Sequence, residues 1–206
     1  MITKTLIALT AVITGPCMHM CTLSSRVEPP EDSLFPDPAD YMEIVDKYED
    51  ATFALPNKYV RVQIFKGAKR ADMNPWILMG IASRESDFRH SLEGDGGHSF
   101  TMFQIHRKHH AEYAKRNADN MTIVQACVAV GEIVRADLKR FGVVNEAIAA
   151  YNAGPTGVAN AIKKFGKGQH DKATTGEDYS EDVLIRARVL SELFSTEGAP
   201  FIIASK

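Results

Sequence analysis

Glu85 stands in the run Ile81-Ala82-Ser83-Arg84-Glu85-Ser86-Asp87-Phe88, near the end of a segment with a well-marked helix start. Asn74 offers an N-cap oxygen, and Pro75 suits the first helical position because it has no N–H to satisfy. Leu78, Ile81 and Glu85 follow at i, i+3 and i+7. At ~100° per residue the carboxyl therefore shares a face with the residues that pack inward. Burial disfavours the charged carboxylate and raises its pKa, as required of a group that keeps a proton near neutral pH and releases it in a reaction. A capped or salt-bridged glutamate at a helix end would show the same residue type, so Glu85 alone points to general acid chemistry without naming a reaction.

Three further segments name one. They are Gly94-Asp95-Gly96-Gly97-His98-Ser99-Phe100-Thr101-Met102-Phe103-Gln104-Ile105, then Ala150-Tyr151-Asn152-Ala153-Gly154, then the stretch from Thr174 to Ala187 with Asp178-Tyr179, Asp182-Val183 and Arg186-Ala187. In order and spacing, with Ser83-Arg84-Glu85-Ser86, they resemble the goose-type lysozymes, relatives of the soluble lytic transglycosylases, over about residues 59 to 195. Four motifs in register are far more specific than one. Two positions depart from the family pattern: Thr101 stands where a glycine is usual before Met-Phe-Gln, and His106 stands where goose-type enzymes often carry a second acid.

The resemblance implies cleavage of the β-1,4 link between N-acetylmuramic acid and N-acetylglucosamine, or deacetylated glucosamine, in peptidoglycan. Such cleavage needs a proton on the leaving oxygen while positive charge develops at the anomeric carbon. Glu85 is the expected acid. Asp95, ten residues on in a glycine-rich turn, is the expected holder of the attacking water, with inversion if the two carboxyls lie roughly 6.5–9.5 Å apart. Neutral His106 is expected to touch substrate, to orient water or to act as a base. Gln104 and Asn152 offer amide hydrogen bonds to the saccharide. Tyr151 resembles the family tyrosine close to the acid, Tyr179 the second tyrosine of the cleft, and Ser86 is expected to support Glu85 or contact substrate. A nucleophilic serine is not indicated, since there is no Gly-x-Ser-x-Gly elbow. Two other outcomes stay open: a lytic transglycosylase, in which the C6 hydroxyl of the muramic residue closes an anhydro ring, and a wall-binding module without turnover, suggested by Thr101, Phe103 and His106.

Positioning these residues calls for helices over 57–73, 74–88, 121–141, 145–153, 156–165 and 178–195. Ile123, Cys127, Val130, Val134, Leu138 and Phe141 recur at three- and four-residue steps with Gly142 as a stop, marking the buried central helix. Gly94, Gly96 and Gly97 break any helix, and Phe100 to Ile105 reads as a short strand. The fold class is α+β and mainly helical, and the resemblance makes it a lysozyme-like fold with a small β or loop excursion beside the cleft.

The 206 residues are enough for one domain and an extension. Lys4 precedes an apolar stretch, Leu6 to Ile13, too short to span a bilayer and ended by Gly15-Pro16, so residues 1–24 read as a secretory signal peptide and the protein as secreted or periplasmic. Neither Cys17 nor Cys21 has the surroundings of a lipid-attachment site, so no stable membrane anchor is expected. Residues 25–40 read as a proline-rich acidic linker, and 41–206 as the catalytic domain. Cleavage would leave Cys127 as the sole cysteine of three, a small core residue with no disulfide partner. The net charge of −2 becomes −3 once Lys4, the only charged residue of 1–24, is removed. That balance argues against nucleic acid, and Arg107, Lys108, Lys139, Arg140, Lys163, Lys164 and Lys167 read as solvated faces. His106 and His110 have i, i+4 spacing, with His98, His109 and Asp95 near, but Arg107 and Lys108 would repel a cation, so no metal or other cofactor is expected. The expected partner is the peptidoglycan strand, met by a monomer.

Overall fold

The computed structural model of the chain describes residues 54–115 and 120–196. The signal-peptide and linker readings, Cys17, Cys21 and the first residues of the proposed catalytic domain lie outside that range.

Helix α1, Lys58–Ala71, starts at Asn57, whose side chain accepts from the Val60 amide. Helix α2, Pro75–Ser86, starts as expected: Asn74 Oδ1 accepts from Trp76 N at 2.9 Å, and Pro75 takes the first position. A short helix α3, Ala111–Lys115, precedes the long α4, Ile123–Phe141. Thr122 and Gln125 form a reciprocal capping box at the start of α4, and Gly142 closes it at φ 74°, a backbone region that costs glycine nothing. Helix α5, Val144–Phe165, carries a break at Gly154 (φ 73°, ψ 151°) before Pro155. The two helices expected over 145–153 and 156–165 are thus two arms about one glycine joint. Helix α6, Tyr179–Thr196, ends the described fold.

Two pairings organise the core: α1 packs on α4, and α2 packs on α6. Both are close because glycine removes a side chain at the contact. A Cβ on Gly67 would lie 2.4 Å from that of Cys127, and one on Gly80 would lie 2.3 Å from the Val183 carbonyl. Ile123, Cys127, Val130 and Val134 of α4 are buried as the periodicity required, with Ala126, Ala129 and Ile133 beside them. Cys127 is fully enclosed and burial pushes its thiol up to about 12, so it is an inert packing residue.

The run from Phe100 to Ile105 is not one strand. Strand β1, Ser99–Phe100, pairs antiparallel with β2, Ile105–His106, and residues 101 to 104 turn between them. Alternating polarity cannot reveal a turn built from Thr-Met-Phe-Gln, which lacks the usual glycine or asparagine. Thr101 (φ 65°) and Gln104 (φ 50°) both adopt left-handed backbone, unusual for a β-branched residue. Local bonds hold Thr101 there: its Oγ1 accepts from Phe103 N at 3.3 Å and its carbonyl accepts from Gln104 N at 3.1 Å. This is the position where the family resemblance anticipates glycine, and the backbone supplies the reason.

Candidate active site

Helix α2 delivers Glu85 as its heptad position requires. Leu78 and Ile81 are fully buried, and Glu85, one and two turns on, is half-buried. Its pKa is raised from 4.5 to about 7, chiefly because burial strips water from the carboxylate. Opposing this are a hydrogen bond from Tyr179 and the charge of Arg84, while the charge of Asp95 adds a smaller upward push. The carboxyl can therefore hold its proton close to neutral pH.

Tyr179 is the tyrosine that reaches the acid. Its hydroxyl donates to Glu85 Oε1, and it is buried at the first position of α6. Tyr151, assigned that place by resemblance, instead donates to the Phe103 carbonyl at 2.8 Å. It stays within electrostatic range of Glu85. Burial and the neighbouring carboxylate hold both phenols well above their ordinary pKa, so both remain neutral donors.

Asp95 lies on the exposed glycine turn at φ 50°, followed by Gly96 at φ 65°. Its Oδ2 accepts from Ser99 Oγ at 2.7 Å, and its charge is felt at both Glu85 and His106. The turn is fastened on two sides. Gly94 and Ser99 exchange backbone hydrogen bonds of 3.1 Å. Arg107 Nε donates to the Gly97 carbonyl at 2.8 Å, and its guanidinium pairs with Glu93 at 3.4 Å.

Several of the residues expected at the site make hydrogen bonds within the protein frame. Ser86 is buried, with Oγ donating to the Met102 carbonyl at 2.8 Å, so it ties the acid helix to the hairpin. Gln104 spends both N–H bonds internally, on the carbonyls of Leu92 (3.1 Å) and Thr101 (2.9 Å). Its Oε1 lies over Gly94, 1.9 Å from where a Cβ would stand, so a side chain at 94 would push the Gln104 amide out of this place. Asn152 Oδ1 accepts from Thr175 N at 3.0 Å, which anchors the loop before α6 and keeps its amide N–H bonds available.

His106 stands at the end of β2, and the i, i+4 pair with His110 is not on one helix, because the chain turns through 107–110 before α3. The ring of His106 lies 4.5 Å from His109 and 6.2 Å from His98, centroid to centroid. Its Nδ1 accepts from Lys108 N at 3.2 Å, so the neutral ring carries its proton on Nε2 and serves as a donor, not a base. Burial and then His109 lower its pKa, in keeping with that neutral form. Among the described residues no group of three His, Cys, Asp or Glu side chains is placed to hold a metal.

Sequence reasoning missed the ion-pair group behind the acid. Asp182 is fully buried on α6 and its Oδ2 meets Arg84 Nη1 at 3.0 Å and Arg186 Nε at 2.9 Å. Arg186 also donates to Ser83 Oγ at 3.0 Å, and Arg84 to Asp178 Oδ1 at 3.3 Å. The i, i+4 spacing of Asp182 and Arg186 was a usable signal.

Residues 54–193 match the model of the family described as Lysozyme g. Similar curated proteins include Lysozyme g of Struthio camelus, 29% identical over 134 residues, 61% of this chain and 62% of that protein. Lysozyme g of Casuarius casuarius is 28% identical over 61% of this chain and 69% of its own length. The similarity thus spans a little over three-fifths of the length of the ostrich protein.

Proposed function

Since the chain belongs to the goose-type lysozyme family, we propose that it is a muramidase that hydrolyses the β-1,4 links between N-acetylmuramic acid and N-acetylglucosamine, or deacetylated glucosamine, in peptidoglycan. The observation that carries this reading is a carboxyl raised to about 7 by burial and gripped by a tyrosine. Because the Tyr179 hydroxyl donates to Oε1, the transferable proton of Glu85 sits on Oε2. That proton passes to the glycosidic oxygen as the C1–O bond breaks and charge builds at the anomeric carbon. A water held by Asp95 attacks the opposite face and gives its proton to that carboxylate. Ser99 occupies Oδ2 and leaves Oδ1 for the water, and inversion is the stereochemical result.

His106 joins as a hydrogen-bond donor through Nε2 to a saccharide oxygen, and Asn152 through its amide N–H. Gln104, Ser86 and Tyr151 keep the hairpin and the acid helix in register. The reaction draws on no cofactor, the enzyme acts as a monomer, and its substrate places it outside the cytoplasm, in line with the signal-peptide reading of residues 1–24. No helix among the described residues is long and apolar enough to cross a membrane.

Glu85→Gln tests the reading. The amide is nearly isosteric but has no proton to give, and general acid catalysis is commonly worth ~10²–10⁴-fold. Release of soluble muropeptides from purified peptidoglycan should fall by that order while the circular dichroism spectrum stays that of the parent. Retention of more than about a tenth of the rate would take the acid role away from Glu85.

A further inference from the structure

Arg84 is the residue next to the acid, and a guanidinium free to fold onto Glu85 would pair with it and hold it ionised. It is directed elsewhere. Its Nη1 lies on Asp182, and its Nη2 reaches Asp178 at 3.3 Å and the Thr175 carbonyl at 3.5 Å. Asp182 is the hub, because one buried oxygen, Oδ2, receives both Arg84 and Arg186, and Arg186 in turn reaches back to Ser83 on the acid helix. The other oxygen, Oδ1, is buried with no hydrogen-bond partner among the described residues, a costly arrangement for a residue retained only for packing. Asp182 also lies one helical turn from Tyr179, whose hydroxyl touches Glu85.

We propose that Asp182 is a positioning residue which, by ion-pairing Arg84 and Arg186 together, keeps Arg84 from folding onto Glu85 and holds the first turn of α6, with the Tyr179 hydroxyl, against that carboxyl. The groups that face Glu85 are Tyr179 from α6, Tyr151 from α5, Asp95 from the glycine turn and Arg84 from its own helix. Of these only Arg84 brings a positive charge, so its restraint adds to burial in disfavouring ionisation of the acid. The consequence for wall cleavage rests on the muramidase reading above, whereas the consequence for Glu85 titration does not.

The experiment is a carboxyl ¹³C NMR titration of Glu85 in the full chain, assigned with Glu85→Gln, alongside pH profiles of kcat and KM on purified peptidoglycan. Asp182→Asn should lower the Glu85 midpoint by about one pH unit, the scale of a released opposite charge, and move the alkaline limb of kcat with it while KM changes little. Adding Arg84→Gln to that variant should return the midpoint to the parent value or above. Arg84→Gln alone, which leaves Asp182 paired with Arg186, should raise it, and this arm decides the matter if Asp182→Asn fails to fold. An unmoved midpoint in Asp182→Asn, no rescue in the double variant, or no rise in Arg84→Gln would overturn the proposal. Midpoints that move as stated in a chain that cleaves no peptidoglycan would support the clamp and overturn only the muramidase reading.

Discussion

At the scale of single residues, the account rests on how Glu85 is solvated and who touches it. Moving a carboxyl from 4.5 to about 7 corresponds to on the order of 3 kcal/mol against the ionised form. The folded protein keeps this proton at pH values where the unfolded chain has lost it, so stability contributed at low pH is lost as pH rises from about 4.5 through about 7. Urea unfolding at pH 8 should therefore find Glu85→Gln more stable than the parent, with the advantage gone near pH 4. The alkaline limb of activity should fall near the raised pKa, and Tyr179→Phe should move it upward, because the lost hydrogen bond favoured the carboxylate. A downward shift in that variant would contradict the Tyr179 assignment. Glu85 was legible in the sequence because i, i+3, i+7 spacing is a local rule. Which of Tyr151 and Tyr179 reaches it was not, since their partners lie 48 and 94 residues away along the chain.

At the scale of elements, the site exists because α2 and α6 approach closely enough for a hydroxyl on one to reach a carboxyl on the other. Gly80 permits this, since a Cβ there would stand 2.3 Å from the Val183 carbonyl and 3.2 Å from the Ala187 Cβ. Gly80→Ala should cost about 1–3 kcal/mol by overpacking and should also depress kcat by spreading the two helices. Thermal unfolding and turnover measured on the same preparation would check both, and an unchanged Tm would refute the close-contact account. The helices were legible from caps and periodicity: Asn74, Pro75, Gly142 and the α4 stripe are all local signals. The hairpin was not, because its turn puts Thr101 and Gln104 at positive φ without the residue types that advertise such a turn. Gln104 was read as facing substrate, and Ser86 as supporting Glu85 or contacting substrate, for a related reason. Sequence shows that a polar side chain is near the site, but not that Met102, Leu92 and Thr101 carbonyls already claim its hydrogen bonds.

At the scale of the whole molecule, the helical core places one half-buried acid and one exposed carboxylate on neighbouring elements, and the chain carries a slightly negative net charge. On the muramidase reading, attraction to an anionic wall would therefore depend on the site and not on bulk charge. The family was legible because four short motifs kept their order, while the departure at His106 left the water's holder open in the sequence. The most direct measurement is mass spectrometry of purified peptidoglycan digested by the parent and by Asp95→Asn. Hydrolysis through Glu85 and Asp95 predicts reducing muramic ends from the parent and a sharp loss of cleavage in the variant, since an amide cannot take the water's proton. Mainly anhydromuramic ends from the parent, with near-normal cleavage by Asp95→Asn, would contradict the account and assign the chain to transglycosylation. Intact strands from the parent would leave a wall-binding module without turnover.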